Sequence, residues 1–334
     1  SAFMLEREIR TAGAGIVQGK NYRLWGCNIE AWSAGVRRRP LPARLPAPFY
    51  NWPLQTTSVP VLVSAGAESA ADIIAIVRGN AIARTFHTNL VGSTGSTLTV
   101  DNAMGKFPGE SVLVSGASTT TCAIGRVLST DSDVRVLALD AAGSPPGGIP
   151  GLCQGSAYVF DLGINPSIAL YGVNQSNNSL VIMDLLQQKI AAGEAIKPVS
   201  IADNVVQLKA LYGISASTPD LSVSWWVKPT GNVWGIAALR PLPDTPDAMA
   251  ARGQIRAIRI SLIVSSRQVE RAPLSSATAA GNTSYVGYLA PTSITLFADL
   301  EASLRYTVQT NTAFRYKVYN FVVPVRNNMI TRYF

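Results

Sequence analysis

Short apolar runs separated by turn residues fill the chain from residue 60 onward, and they constrain the fold more than any other feature. Residues 61–63 and 73–77 are compact apolar segments, whereas residues 97–100 alternate between apolar and polar side chains. Further runs of the same kind lie at 109–115, 122–128, 134–139, 158–160, 168–171 and 180–183. Runs of this length bounded by Gly, Pro, Asn and Asp are typical of β-strands. Their regular spacing predicts meandering antiparallel sheets.

At the N-terminus, the apolar side chains have a different sequence spacing. Apolar side chains recur there at helical spacing, at Leu5, Ile9, Ala12 and Ile16. The pattern predicts a helix over residues 3–17 with one apolar face. Glu6 and Arg10 lie four residues apart on another face, where they can pair. Because no clear capping residue precedes this stripe, we expect the helix to be the end of a longer one.

A second helix is predicted at residues 200–213. Ser200 and Asp203 form a start similar to a capping box, and Gly213 is a typical helix stop. The apolar stripe of this segment consists of Ile201, Val205, Leu208 and Leu211. After it, residues 255–264 and 314–323 alternate again and predict two long strands. Residues 265–300 are a polar, Ala/Ser-rich excursion.

Composition narrows the class of protein. Of the 334 residues, 47% are hydrophobic and only 14% are charged. A cytosolic enzyme would have roughly a quarter of charged residues, so we expect an exported β-rich protein. The net charge of +8 is not concentrated in a Lys/Arg run on a helix, and we therefore expect no nucleic-acid partner. Residues 37–48 are basic and proline-rich, which predicts an exposed loop or, alternatively, a polyproline contact strip.

The cysteines favour a disulfide over a metal site. Cys27, Cys122 and Cys153 form no Cys-x-x-Cys pair, and His87 is the single histidine, which argues against zinc. In an exported chain we expect one disulfide that includes Cys122, with Cys27 and Cys153 both open as its partner. No stretch reaches the roughly 18 apolar residues of a membrane span.

No catalytic constellation emerges from the sequence. A serine triad would need His87, which has no Gly-x-Ser-x-Gly motif near it. The glycine-rich segment 92–96 lacks the Gly-Lys-Ser/Thr ending of a phosphate loop. The acid pairs Asp131/Asp133 and Asp244/Asp247 fit turns, with calcium binding as the alternative. We therefore predict no catalytic residue, no cofactor and no metal site.

Several segments resemble PilW-type minor pilins of type IV pili. These segments are 5–13 (Leu-Glu-Arg-Glu-Ile-Arg-Thr-Ala-Gly), 25–27 (Trp-Gly-Cys), 109–115 followed by Cys122, 205–214 (ending Leu-Tyr-Gly-Ile), 255–264 and 314–327. They run in the family's order along nearly the whole chain, whereas residues 37–48 and 265–310 match nothing. The J-type pseudopilins of type II secretion are similar and remain close competitors.

This resemblance implies an α+β, pilin-like fold, in which an N-terminal helix packs on antiparallel β-sheet beneath an enlarged β-rich head. Residues 1–18 would be the C-terminal end of the pilin helix, without its transmembrane half, and residues 19–334 the globular head. The implied function is that of a minor pilin ectodomain, a structural subunit of the fimbrium that acts in a priming or tip complex without catalysis.

The resemblance also implies partners and a location. The partners would be other minor pilins, the major pilin and a tip adhesin, with membrane contact only through the preceding part of the helix. The head would be periplasmic at the bacterial inner membrane before assembly and extracellular in the pilus afterwards. Glu6 and Arg10 are the candidate interface residues on the helix. The alternative functions are an exported tip adhesin or surface-binding module for cell adhesion, and a type II secretion pseudopilin.

Overall fold

The structure is a computed structural model of the 334-residue chain. It describes residues 2–16, 24–41, 44–80, 87–116, 120–146, 148–149, 157–186, 197–217, 220–240, 246–268 and 291–330. In this part of the chain, no helix has the length and apolar character that a membrane span requires.

β-Strands are the main secondary structure of the described residues. The first nine are β1 Asn28–Ser33, β2 Val36–Arg39, β3 Val61–Ser64, β4 Ile73–Arg78, β5 Thr88–Ser93, β6 Thr97–Val100, β7 Ser111–Gly116, β8 Thr121–Asp131 and β9 Val136–Leu139. The next ten are β10 Ala157–Gly163, β11 Ser167–Asn174, β12 Ser179–Asp184, β13 Val199–Asp203, β14 Val205–Ile214, β15 Trp225–Val227, β16 Ile255–Ser265, β17 Ser293–Leu296, β18 Tyr306–Gln309 and β19 Tyr316–Pro324. Each apolar run that predicted a strand between residues 61 and 183 forms one, so those predictions are confirmed.

The helices are short. They are α1 Ala2–Arg10, α2 Gly231–Trp234, α3 Ile236–Leu239, α4 Pro246–Gln254 and α5 Arg326–Ile330, with single 3-10 turns at Phe49–Asn51 and Ala302–Leu304. The two long strands predicted near the C-terminus are confirmed as β16 and β19. They pair antiparallel over nine residues of β19 without interruption.

Six strands close into an antiparallel barrel in the order β8-β7-β10-β5-β6-β9, because β9 also pairs with β8. Its interior is apolar and contains Leu98, Val100, Val112, Val114, Val127, Leu137 and Val159. The β1–β2 hairpin extends the barrel sheet, since β1 pairs in parallel with β8.

Two further sheets enclose the main core. The first sheet has the strand order β13-β12-β11-β4-β3, and the second sheet has the order β15-β14-β16-β19. They share one hydrophobic cluster, which contains Ile74 and Leu170 from the first sheet and Leu208 and Ile260 from the second. A small β17–β18 ribbon packs beside the second sheet through Leu296.

The predicted α+β, pilin-like fold class is wrong. The chain is mostly β, with a closed barrel and separate sheets, and the N-terminal helix is only Ala2–Arg10. The chain turns away after Arg10 because Gly13 and Gly15 adopt positive φ values of 81° and 79°, which end a right-handed helix. The side chains of Leu5, Ile9, Ala12 and Ile16 are all buried. Ala12 and Ile16, however, lie in the segment that follows the helix and not in the helix itself.

The predicted helix at 200–213 is also wrong, because this segment forms β13 and β14. β14 is buried on both faces, so buried and exposed positions do not alternate along it and a helical stripe can be read by chance. Asn204, with φ 59°, makes the break that resembled a capping start. Gly213 lies within the strand beneath the Trp226 ring and leaves room for it.

The predicted exposed loop at 37–48 is partly wrong. Arg38 and Arg39 are buried, and Arg39 donates from Nη2 to the carbonyl of Leu185 at 3.0 Å. Burial lowers the pKa of the Arg39 guanidinium to about 9. The four prolines of this segment argue against a strand and hide the burial of the two arginines. The strand can form because β2 lies at the edge of its sheet and ends at Arg39.

Candidate functional site

Helix α1 divides into a buried face and an exposed face. Leu5 and Ile9 are fully buried in the main core, whereas Phe3 is 77% exposed. The exposed face also contains Arg7 and the pair of Glu6 and Arg10. An exposed phenylalanine next to charged side chains is a surface that a second protein can cover.

Glu8 connects α1 to the first sheet. Its buried carboxylate lies 2.8 Å from Arg78 Nη2 on β4 and 3.4 Å from Arg7 Nη2. Tyr171 of β11 lies in the same surroundings, where burial and then the negative charge of Glu8 raise its pKa. The contact fixes α1 on the head, since a buried carboxylate is costly without its cation.

The turn after α1 is held through its backbone. Asn327 donates from Nδ2 to the carbonyl of Ala12 at 2.7 Å, and the amide of Gly13 donates to Val77 at 2.8 Å. Trp25 Nε1 donates to the carbonyl of Ile16 at 2.9 Å. The side-chain donors of Asn327 and Trp25 satisfy carbonyl groups of the turn, and the Gly13 amide binds the turn to β4. The chain therefore anchors α1 with residues from both ends of the molecule.

Substituting Asn327 by alanine tests this anchor. We expect the free energy of unfolding to fall by about 1 kcal/mol, because one buried carbonyl loses its donor. Urea unfolding measures the change. Asn311→Ala, an asparagine in an exposed turn, is the control and should change the stability less. Equal effects of the two substitutions would contradict the anchoring role.

The candidate interface residues Glu6 and Arg10 lie on the outer side of α1. Arg10 donates to Glu6 Oε1 from Nε at 3.1 Å and from Nη2 at 2.5 Å. Their side chains are 31% and 37% exposed, so the pair contacts solvent. Exposed pairs of this kind contribute little to folding, which leaves both groups available to a partner.

The structure joins Cys27 to Cys122 by a disulfide, with their Cα atoms 5.7 Å apart. Cys27 immediately precedes β1 and Cys122 lies on β8, where the two strands pair in parallel. The bond therefore ties the N-terminal segment to the barrel. Cys153, the third candidate in the sequence, lies outside the described residues.

A buried ion pair that the sequence did not reveal lies between the two core sheets. Lys209 Nζ on β14 is 3.0 Å from Asp72 Oδ1, and both side chains are fully buried. Lys209 also donates to the carbonyls of Ala67 at 2.8 Å and Gly66 at 3.2 Å. All three ammonium protons therefore have acceptors, as a buried charge requires.

The carboxylate of Asp72 is equally well satisfied. Oδ1 accepts the amide of Gly66 at 2.9 Å, and Oδ2 accepts the amide of Ala210 at 2.8 Å. Burial raises the pKa of Asp72, and Lys209 acts against that rise. The Tyr306 ring lies 4.7 Å from Lys209 Nζ and covers the ammonium. Because each ammonium proton of Lys209 has an acceptor and both carboxylate oxygens of Asp72 have donors, the ion pair can link the two core sheets.

The residues considered for catalysis or metal binding are not brought together. His87 packs edge-on against Tyr158, with ring centroids 5.4 Å apart, and burial lowers its pKa. Asp131 accepts the amides of Asp133 and Val134, which is turn chemistry. Asp244 lies outside the described residues. Within the described ranges, no three His, Cys, Asp or Glu side chains cluster as metal ligands would.

Comparison with known proteins found one family. The model for PilW, described as type IV pilus-assembly protein W, matches residues 170–327. This region begins within β11 and ends at Asn327, the residue that holds the turn after α1. A search of curated proteins and a search of solved structures each gave no significant match. PilW proteins take part in pilus assembly, which places the chain among proteins of the cell envelope or pilus. Residues 170–327, a little under half of the chain, therefore match the PilW family of type IV pilus-assembly proteins.

Proposed function

We propose that the chain is a minor pilin, a structural subunit that assembles with other minor pilins and with the major pilin. The observation that supports this best is the two-sided helix α1. Its inner face is fixed to the head by Leu5, Glu8 and Ile9, while Phe3, Glu6 and Arg10 remain accessible on the outer face. A rigidly held helix with an accessible face can pack against the helix of a neighbouring subunit.

In this proposal the N-terminal segment, residues 1–18, serves assembly, and the head, residues 19–334, carries the contacts to neighbouring heads in a priming or tip complex. The head would lie in the periplasm before assembly and in the extracellular fibre afterwards. The function is structural, with binding as the only chemical event.

Charge reversal on α1 tests the proposal. Glu6→Arg and Arg10→Glu should each leave the melting temperature nearly unchanged, because an exposed i, i+4 pair contributes only about 0.3–0.5 kcal/mol. At an interface, a mismatched charge costs several times more. We therefore expect reduced co-purification with other minor pilins and fewer surface pili.

Two further variants separate the explanations. The double swap Glu6→Arg/Arg10→Glu restores the pair within α1 but inverts its outer surface, so assembly should remain impaired. Glu30→Arg is the matched control, because Glu30 is also 31% exposed and also pairs with an arginine, Arg37 at 3.0 Å. If the α1 variants assemble as well as Glu30→Arg, the subunit contact lies elsewhere and the tip-adhesin alternative is favoured.

A further inference from the structure

The last strand of the second sheet has an open edge. β19 pairs with β16 on one side, and none of the described residues pairs with it on the other. Its exposed side chains include Tyr319, 39% exposed, and Val322, 47% exposed. An edge of this kind presents a row of unpaired backbone donors and acceptors.

The hydrogen-bond register shows which backbone groups point outward. The amide of Val325 donates to the carbonyl of Arg256 at 2.8 Å, and this pair continues the β16–β19 register. Odd-numbered residues of β19 therefore bond to β16, since bonded positions alternate in an antiparallel pair. The outward groups belong to Tyr316, Val318, Asn320 and Val322, which together form the β19 outer edge. Pro324 also points outward, so its missing N–H costs no bond to β16.

The other edges of the three larger sheets are shorter or less regular than β19, which also contacts helix α1. β2 is four residues long, three of them arginine, and its pairing contains a register shift. β15 has three residues, β3 is almost completely buried, and β13 is five residues long with a register shift. β19 has nine residues, an uninterrupted register and a single charged residue, Lys317. Short, charged or irregular edges resist strand addition, whereas a long regular one accepts it.

We propose that the β19 outer edge pairs antiparallel with the same edge of a second copy of this chain, with a two-fold axis at Asn320. In this register Val318 lies opposite Val322 of the second copy, and Tyr319 lies opposite Phe321. Aromatic cross-strand pairs are favourable, and side chains approach most closely at positions like Tyr319 that lack mutual hydrogen bonds. The two copies of Lys317 face valines and not each other. The strand is therefore complementary to itself in hydrogen bonding, and the pairing brings no like charges opposite each other.

A second copy of this chain is the binding partner that this self-complementarity favours. Two-fold pairing forms about six backbone hydrogen bonds through Val318, Asn320 and Val322 of each copy. It joins two four-stranded sheets into one continuous sheet, which is a common way to build a symmetric dimer. The proposal does not depend on a role in pili, because it uses only residues of this chain.

Cysteine cross-linking tests the register. In a Cys153→Ser background, Asn320→Cys should form a disulfide-linked dimer in mild oxidant, because the two Cα atoms lie about 5.5 Å apart across the axis. Val322→Cys is the matched control. Residue 322 lies on the same strand, but in the proposed register residue 322 of the second copy is offset by four residues. The two Cα atoms are then about 13 Å apart, so this variant should not cross-link. Equal cross-linking of both variants, or of neither, would overturn the proposal.

Light scattering on the unmodified chain gives the second test. We expect twice the 35.4 kDa monomer mass at micromolar concentration, and Val322→Lys should weaken the dimer at least tenfold. Val199→Lys, on the exposed edge strand β13, introduces the same charge at a residue 59% exposed and should leave the dimer intact. A monomer at all concentrations, or equal weakening by the two substitutions, would count against pairing through β19.

Discussion

Replacing Lys209 by methionine should lower the free energy of unfolding by about 3–5 kcal/mol. The substitution removes the ammonium that lies 3.0 Å from Asp72 and leaves a fully buried carboxylate without a counter-charge. Methionine keeps most of the side-chain volume, so the loss reports the charge and not a cavity. Urea unfolding at neutral pH measures it.

The pH dependence provides the control for this variant. Burial raises the pKa of Asp72 in the folded state, and removing Lys209 raises it further, because the lysine is what lowers it. The folded variant therefore binds a proton more readily than the unfolded chain, and its penalty is absent below the unfolded pKa of about 3.9 and grows as the pH rises through the folded value. The difference from the unmodified chain should shrink at pH 4. A pH-independent difference would contradict the charge explanation.

Removing the disulfide should have a comparable effect. Cys27 and Cys122 are separated by 95 residues, and cross-linking a loop of this length restricts the unfolded chain by about 4–5 kcal/mol. The double variant Cys27→Ala/Cys122→Ala should unfold at a clearly lower urea concentration than the oxidised chain. Both cysteines are buried, so alanine avoids introducing an unpaired hydroxyl.

Reduction of the unmodified chain serves as the comparison. Under reducing conditions its unfolding midpoint should move to that of the double alanine variant, since the two then share an unrestricted loop. If reduced and oxidised chains unfold at the same midpoint, the bond does not stabilise the head.

The strands could be predicted from the sequence where one face of a strand is exposed or a strand is short and bounded by turns. β6, predicted as residues 97–100, has the observed bounds Thr97–Val100. β16 and β19 alternate clearly enough to be recognised. β14 was missed because both of its faces are buried, so the period of two that identifies a strand is absent. Its β-branched and aromatic residues were the better signal.

The contacts that hold the head together could not be predicted in the same way. Lys209 and Asp72 are 137 residues apart, and neither lies in a motif. Asn327 is only the last residue of the segment 314–327 in the sequence, yet its amide reaches across 315 residues to Ala12. Local patterns specify local structure, whereas such pairings depend on how the sheets come together. The disulfide lies between these cases, because its cysteines are visible in the sequence but their pairing is not.

The position of the barrel has a consequence for how this protein can vary. Arg78 at the end of β4 and Ser167 at the start of β11 lie directly opposite each other in one antiparallel ladder, where an ordinary hairpin turn would connect them. The whole barrel occupies the place of that turn, and the PilW match begins at residue 170, just after the chain returns. It is thus an inserted module whose entry and exit are adjacent, so its length and surface can change while the two core sheets keep their pairing.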